Sequence, residues 1–192
     1  MIVFPNVYSV DTINRRFEVI DQIRFAGIDA DFLWDSTRLM ACVVSTEIID
    51  DDRRQVIASI EMQQTEWMNN EALAVERYWQ QDPCQIQGVV VQPNFQEFGL
   101  ATFMYEMLVV RLRMVIVSDN EQYAGGKALW KHIAKKSKSL TVYVFDSKTA
   151  KFFPYHDNER MPYTGSNIDD DIIWSLSPNE DKHPIVLIAE SR

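Results

Sequence analysis

The chain has 192 residues and a hydrophobic fraction of 46%, which suits one ordinary domain with a continuous core. Its net charge of −9 argues against sequence-independent binding to nucleic acid or to an anionic membrane surface. The first residues lack the basic and apolar regions of a signal peptide, and no apolar run approaches the roughly 18 residues that a membrane-spanning helix needs. We therefore expect a cytoplasmic protein.

The cysteine and histidine residues do not form the pattern of a disulfide framework or of a metal site. Cys42 lies inside an apolar run and is predicted to be a buried thiol, and Cys84 is distant from it in the sequence. His132, His156 and His183 lack the spacing of metal ligands. We therefore expect no metal cofactor.

The N-terminal segment predicts a strand followed by two helices. Residues 2–10 have the composition of a short strand, and Asp11 can cap a helix over residues 12–26 that ends at Gly27. The apolar residues of that helix fall mostly on one side: Ile13, Phe17, Ile20, Ile23 and Phe25. Residues 31–36 are predicted to form a second, short helix.

The next segment predicts a β-hairpin and then an interior strand. Residues 39–49 and 55–62 have the composition of strands, and an acidic turn at residues 50–52 joins them. Residues 70–81 have a helical pattern. Residues 85–92 form a near-continuous apolar run that suits an interior strand.

The C-terminal half is predicted to alternate strands and helices before a long polar loop. Its elements are, in order, a helix over 101–112, a strand over 114–118, a helix over 124–136, two pairing strands over 140–145 and 151–155, a loop over 158–171, and strands over 172–176 and 184–189. The chain is thus predicted to be one mixed α/β (α+β) domain over residues 1–192, with a sheet of about six or seven strands flanked by helices. Residues 156–192 would be a C-terminal extension of loop and strands.

Residues 88–102, with the sequence GVVVQPNFQEFGLAT, combine a strand, a short loop and the start of a helix. The β-branched run ends at Pro93, the loop contains one glycine, Gly99, and an amphipathic run of helical period follows. The first amides of a helix lack partners within the helix and lie at the positive end of its dipole, so they can receive phosphate. The segment therefore predicts an anion-binding site.

Two runs in this segment, Val91-Gln92-Pro93 and Gln96-Glu97-Phe98-Gly99-Leu100-Ala101, match a known motif in order and spacing. The chain resembles the GCN5-related N-acetyltransferase (GNAT) superfamily, in which a strand ending Val/Ile-x-Pro is followed by Gln/Arg-x-x-Gly-x-Gly/Ala at the start of a helix. The resemblance implies a GNAT-like fold with a splayed central sheet. The style of the sequence would fit a bacteriophage member of the superfamily.

The resemblance also implies how acetyl-CoA, or another acyl-CoA, would bind. The backbone after Gln96 would hold the pyrophosphate. The backbone of Val90 and Val91 would pair with the pantetheine arm, which would lie in the splay between this strand and the strand from Met114. The cofactor-binding residues that it implies are Val90, Val91, Gln96, Glu97, Phe98, Gly99, Leu100, Ala101 and Asn120.

Parts of the sequence depart from the family pattern. Glu97 and Phe98 stand where Gly and a basic residue are common, and a carboxylate beside a pyrophosphate is repulsive by about 1 kcal/mol or more. Glu97 would otherwise point to solvent or help cap the helix. The helix over 124–136 lacks the tyrosine that commonly serves the family as general acid, and the Gly-Phe pair that commonly comes next is missing.

Acyl transfer to an amine needs a base that takes a proton and an acid that protonates the leaving thiolate. Tyr123, just before the helix over 124–136, is the first candidate, His132 on that helix is the second, and Glu61 on the hairpin would flank the acceptor. Each residue also has an ordinary structural interpretation. Tyr123 would then be an aromatic residue of a loop, His132 an exposed residue of a helix and Glu61 an outward-facing residue of a strand. Residues 118–122 are either part of a ligand site at a strand end or a polar connection.

The leading hypothesis is an acyl-CoA-dependent N-acyltransferase that acetylates an amine of a small molecule or a protein. The alternative is a non-catalytic protein of the same fold, with a structural or interaction role in a bacteriophage particle or its assembly. Its partners would then be further copies of itself or phage assembly proteins, in the host cytoplasm or the virion. Neither hypothesis includes nucleic acid or a membrane as a partner.

Overall fold

The computed structural model describes residues 6–50, 52–65, 78–79, 83–119, 124–154, 160–174 and 184–192, and of Glu97 it describes the backbone only. These residues contain ten strands and four α-helices in a mixed α+β arrangement whose strand pairs are mostly antiparallel. The chain divides into two compact units. Unit 1 comprises Met1–Gln63 and Ile86–Met104, and unit 2 comprises Gln64–Gln85 and Tyr105–Arg192.

Unit 1 is built on antiparallel strands. Its elements are β1 (Val7–Ser9), α1 (Val10–Arg16), β2 (Glu18–Phe25), β3 (Ile28–Asp35), β4 (Met40–Ile49), β5 (Arg53–Gln64), most of β6 (Cys84–Val91) and the start of α2 (Leu100–Glu106). The strand order is β2-β3-β4-β5-β6, with β1 paired to β5. The predicted hairpin of residues 39–49 and 55–62 is confirmed as β4 and β5.

The predicted helix over residues 12–26 is wrong beyond its first turns, because α1 ends at Arg16 and residues 18–25 form β2. The β-branched residues of this segment suit a strand, and its apolar positions fit a period of two as well as a helical period. Ala26 and Gly27 have φ of 48° and 84°, the left-handed pair that a two-residue hairpin turn needs. Gly27 therefore turns a hairpin and does not end a helix.

Two further N-terminal predictions are corrected. The predicted short helix over residues 31–36 is instead β3, which pairs with β2 on one side and β4 on the other. The cap of α1 is Ser9, whose hydroxyl oxygen accepts a hydrogen bond of 3.1 Å from the amide of Thr12. Asp11 lies in the first turn, where its charge suits the helix dipole. The β2–β3 hairpin, which stands where the helix pair was predicted, helps to raise the strand count above six or seven.

An ion pair fixes the end of α1 against β3. The guanidinium of Arg16 donates to the carboxylate of Asp35 at 3.1 Å and 3.0 Å, and the Asp35 side chain is almost fully buried. Cys42 lies in the same core and is buried, as predicted. Burial raises the pKa of the Cys42 thiol to about 12, although the nearby Arg16 guanidinium opposes the shift. The thiol therefore stays protonated at neutral pH.

Unit 2 contains the end of α2, a π-helical turn (Met107–Arg111), β7 (Ile116–Val117), α3 (Ala124–Lys136), β8 (Leu140–Asp146), β9 (Lys151–Phe153), α4 (Asp170–Ile173) and β10 (Ile185–Ser191). The start of β6 pairs in parallel with β7, and β7, β10, β8 and β9 follow in that order as antiparallel neighbours. The C-terminal strand β10 thus lies between β7 and β8, inside the sheet. Its insertion also contributes to the larger strand count.

The C-terminal predictions are mostly confirmed. The strands over 85–92, 140–145 and 184–189 are present as β6, β8 and β10, and the helix over 124–136 is α3. The predicted strand over 172–176 is wrong where it is described, because residues 170–173 form a helical turn opened by three acidic residues, Asp169, Asp170 and Asp171. The predicted helix over 70–81, except for Tyr78 and Trp79, lies outside the described residues, as do His156 and His183.

The described residues contain neither a membrane-spanning helix nor a metal-binding cluster. No helix there has both the length and the apolar character that crossing a membrane requires. No group of three or more histidine, cysteine, aspartate or glutamate side chains in that part of the chain could hold a metal ion.

Candidate functional site

The end of β6, where the candidate loop begins, is tied to β5 by one residue. The amide of Gln92 donates to the carbonyl of Ile57 at 2.9 Å, and its side-chain amide donates to the carbonyl of Val56. Its side-chain oxygen accepts from Gln55 at 2.9 Å. Three hydrogen bonds from a partly buried side chain and its backbone fix where the loop starts. The sequence identified Gln92 only as a motif position and gave no sign of this anchoring role.

The loop itself is a 3₁₀ helix over Pro93–Phe98. Pro93 suits its first position because proline lacks the amide hydrogen that would be unpaired there. The turn is closed by the amide of Phe95, which donates to the Gln92 carbonyl at 2.8 Å. The side-chain amide of Gln96, a predicted cofactor-binding residue, donates to the carbonyl of Val91 at 3.2 Å. Gln96 thus stabilises the loop from within.

Gly99 separates the loop from helix α2 and has open surroundings. Its φ of 75° and ψ of 16° place it in the left-handed region, which favours glycine. A Cβ atom built on Gly99 would have no heavy atom within 4 Å. A bound group can therefore approach the backbone here more closely than any side chain would allow.

The amides after Gly99 lie at the start of α2. The first hydrogen bond of this helix runs from the amide of Phe103 to the carbonyl of Gly99 at 3.0 Å. The amides of Leu100, Ala101 and Thr102 precede it and lie at the positive end of the helix dipole. The Leu100 side chain is buried and fixes the first turn in the core of unit 1. Backbone amides in this position are the groups that receive anions at the start of a helix.

The 3₁₀ loop ends in an exposed aromatic residue. Phe98 is 57% exposed, and its ring meets the edge of Phe25 with centroids 5.8 Å apart and an interplanar angle of 77°. Residues 93–106 contain no lysine or arginine, so no basic side chain of this segment would assist in neutralising a phosphate. An exposed phenylalanine thus stands where the family pattern commonly has a basic residue.

The predicted cofactor-binding residues of this segment all lie in unit 1, and the side chain of Gln96 contacts Val91. Val90 and Val91 end strand β6, with Val90 exposed, and Gly99, Leu100 and Ala101 form the turn into α2. The backbone of Glu97 lies in the 3₁₀ helix. Asn120, the remaining predicted cofactor-binding residue, lies outside the described residues.

The predicted catalytic residues do not belong to one unit. Glu61 lies on β5 of unit 1, where it is opposite Met40 and is partly exposed. His132 is exposed on α3 of unit 2. Tyr123 lies outside the described residues. Their catalytic roles stay predictions.

Ser118 has a structural position at the end of β7. It is fully buried, its amide donates to the carbonyl of Leu187 at 2.8 Å, and its hydroxyl oxygen accepts from the Leu187 amide at 3.0 Å. These bonds extend the pairing of β7 with β10. For this residue the structure favours the polar connection over a ligand site, while residues 120–122 lie outside the described part of the chain.

We expect Gln92→Ala to lower the free energy of unfolding by about 1–2 kcal/mol, because it removes two side-chain hydrogen bonds of a partly buried group. Gln96→Ala is the matched control, since Gln96 is exposed and donates one bond to the same segment. It should change the free energy by no more than about 0.5 kcal/mol. Urea unfolding of both variants measures the difference, and equal losses would refute the anchoring role of Gln92.

No family model, curated protein or solved structure with which the chain was compared gave a match.

Proposed function

We propose that this chain is an acyl-CoA-dependent N-acyltransferase that moves an acetyl group from acetyl-CoA to an amine of a small molecule or a protein. The observation that carries the proposal is the left-handed, open Gly99 between an anchored loop and the start of α2. The chain order supports it as well, since β6, this loop, α2 and β7 follow one another and β6 and β7 pair in parallel. This order agrees with the GNAT-like motif.

The backbone would hold the cofactor in two places. The pyrophosphate would lie against the amides of Leu100 and Ala101, where the missing side chain of Gly99 leaves room. The pantetheine arm would pair with the backbone of Val90 and Val91. The Val91 carbonyl already accepts from Gln96, but a carbonyl oxygen has two lone pairs and can accept a second hydrogen bond.

The reaction that we propose forms a bond between the amine nitrogen and the acetyl carbon and breaks the bond between that carbon and sulfur. A base takes a proton from the amine, and an acid returns a proton to the leaving thiolate. Tyr123 is our first candidate for the acid and His132 is the second. Glu61, which is partly exposed on β5, is the candidate to orient or deprotonate the amine.

Amide NMR with coenzyme A tests this mode of binding. We expect the amide signals of Gly99, Leu100 and Ala101 to shift during the titration, because these groups would donate to the pyrophosphate. Pantetheine, which lacks the phosphates, should leave the same signals in place. Binding of coenzyme A without any change at these three amides would refute the proposed site.

Glu97→Lys is expected to tighten the binding of acetyl-CoA about fivefold, equivalent to about 1 kcal/mol, because it replaces a negative charge in the loop with a positive one. The gain should shrink as salt is added. Glu18→Lys, an equal charge change at an exposed position of β2, is the control and should have a smaller effect. Calorimetric titration at low ionic strength compares the two. An unchanged affinity for Glu97→Lys would mean that this charge does not reach the site.

The second candidate function is a non-catalytic structural or interaction protein, as in a bacteriophage particle or its assembly. The exposed Phe98 ring and the lack of basic residues over 93–106 favour it, because an apolar group beside the amides suits a protein surface better than a phosphate. A fold does not by itself imply activity. Failure to bind acetyl-CoA would favour this candidate.

A further inference from the structure

Four aromatic rings of unit 2 surround one guanidinium group. The central carbon of the Arg160 guanidinium lies 4.5 Å from the ring centre of Tyr143 and 4.6 Å from that of Tyr78. It lies 5.2 Å from the ring centre of Trp79 and 5.7 Å from that of Phe152. We call these four rings the aromatic cage.

The walls of the aromatic cage hold one another in place. The ring of Phe152 meets those of Tyr78, Trp79 and Tyr143 with centroid distances of 5.1, 5.8 and 5.9 Å. Trp79 and Phe152 are also buried in the apolar core of unit 2. Because these contacts do not involve Arg160, the cage should keep its shape when that side chain is removed.

Glu190 adds a negative charge to the aromatic cage. Its carboxylate accepts a hydrogen bond of 3.2 Å from Arg160 and another from the indole N–H of Trp79. The side chains of Arg160 and Glu190 are 21% and 18% exposed, so the charged pair is close to the surface. Glu190 also lines a surface cavity of about 380 Å³. The other residues that line this cavity are not part of the aromatic cage, so it is the partial exposure of the charged pair that leaves the site open to solvent.

The combination of rings and a carboxylate is suited to a cation. The negative face of an aromatic ring attracts a cation, and the attraction is stronger when the cation is desolvated. A guanidinium group can stack on aromatic faces and donate to a carboxylate at the same time, which an ammonium group does less well. An exposed surface salt bridge alone would not need this enclosure.

We propose that the aromatic cage and Glu190 form a binding site for an external guanidinium group, and that Arg160 occupies this site as an internal competitor. A small guanidinium-bearing ligand would displace the Arg160 side chain and take over its contacts with the rings and with the carboxylate. The inference is independent of the proposed acyl transfer, since none of these residues belongs to the cofactor loop.

Titration of the Arg160→Gln variant with methylguanidinium tests the proposal. The variant empties the cage of its cation and leaves a shorter, uncharged polar side chain at the position. We expect saturable binding at millimolar concentration, followed by calorimetry and by the indole N–H signal of Trp79. The wild-type protein should bind at least about tenfold more weakly, because a tethered group competes at a high effective concentration. Two controls accompany this titration. Methylurea, which is uncharged, should bind to Arg160→Gln much more weakly than methylguanidinium does. Methylguanidinium should bind much more weakly to the variant that also carries Glu190→Gln.

Three results would overturn the proposal: no binding to Arg160→Gln, equal binding to the wild type, or equal binding of methylurea. If Arg160→Gln does not fold alone, methylguanidinium should restore its folding and methylurea should not. A purely structural role of Arg160 predicts destabilisation without binding or rescue, so failure of rescue would overturn the proposal too.

Discussion

Gly99→Trp is expected to abolish the binding of acetyl-CoA while the protein stays folded. A Cβ atom at this position meets nothing within 4 Å, so the indole would extend into the space through which the phosphates approach the amides of Leu100 and Ala101. The left-handed φ of 75° makes any side chain strained, at a cost of about 1–2 kcal/mol. That cost is small beside the roughly 5–15 kcal/mol by which a typical domain is stable.

Gly27→Trp is the matched control. Gly27 has a φ of 84° and equally open surroundings, but it lies in the β2–β3 turn and not in the loop. Both variants should therefore lose similar stability in a thermal unfolding experiment, and only Gly99→Trp should lose the cofactor in a calorimetric titration. Retention of wild-type affinity by Gly99→Trp would contradict the proposed pyrophosphate site.

Tyr123→Phe is expected to lower the turnover rate by about 10²-fold or more and to leave the affinity for acetyl-CoA nearly unchanged. Only the transition state would lose an interaction, because the phenol would protonate the thiolate as it leaves. A steady-state assay of thiol release, combined with a binding titration, separates the two quantities.

Tyr163→Phe is the control for the loss of a tyrosine hydroxyl. Among the described residues the hydroxyl of Tyr163 is buried and makes no hydrogen bond, and burial raises its pKa to about 12. Its removal should not slow turnover and should not lower stability. Full turnover by Tyr123→Phe would eliminate Tyr123 as the acid, and His132→Gln would then be the variant to measure.

The segment that carries the candidate site could be predicted from sequence because its signals are local. A β-branched run, Pro93, Gly99 and the following helical period each specify their own stretch of backbone, and β6, the 3₁₀ turn and α2 follow in that order. The left-handed conformation of Gly99 is likewise a property of one residue.

The N-terminal error arose where two local patterns compete. Residues 18–25 fit a helical period and also a period of two, and the pairing partner that decides between them, β3, comes later in the chain. Gly27 fits the left-handed turn of a hairpin and equally the end of a helix, so this residue alone does not decide between the two structures.

The aromatic cage could not be predicted from sequence at all. The four rings and Glu190 lie between positions 78 and 190, without a common spacing or motif. Only the pairing of β10 with β8 and of β8 with β9 brings Glu190, Tyr143 and Phe152 close together. Contacts of this kind depend on the tertiary fold.

The central claim is that the loop from Pro93 to Gly99 and the first turn of α2 bind the phosphates of an acyl-CoA. Calorimetric titration of the wild-type protein with acetyl-CoA tests it most directly. We expect saturable binding with one molecule per chain, and loss of that binding in Gly99→Trp. Undetectable binding at millimolar acetyl-CoA would contradict the claim and would favour a non-catalytic role.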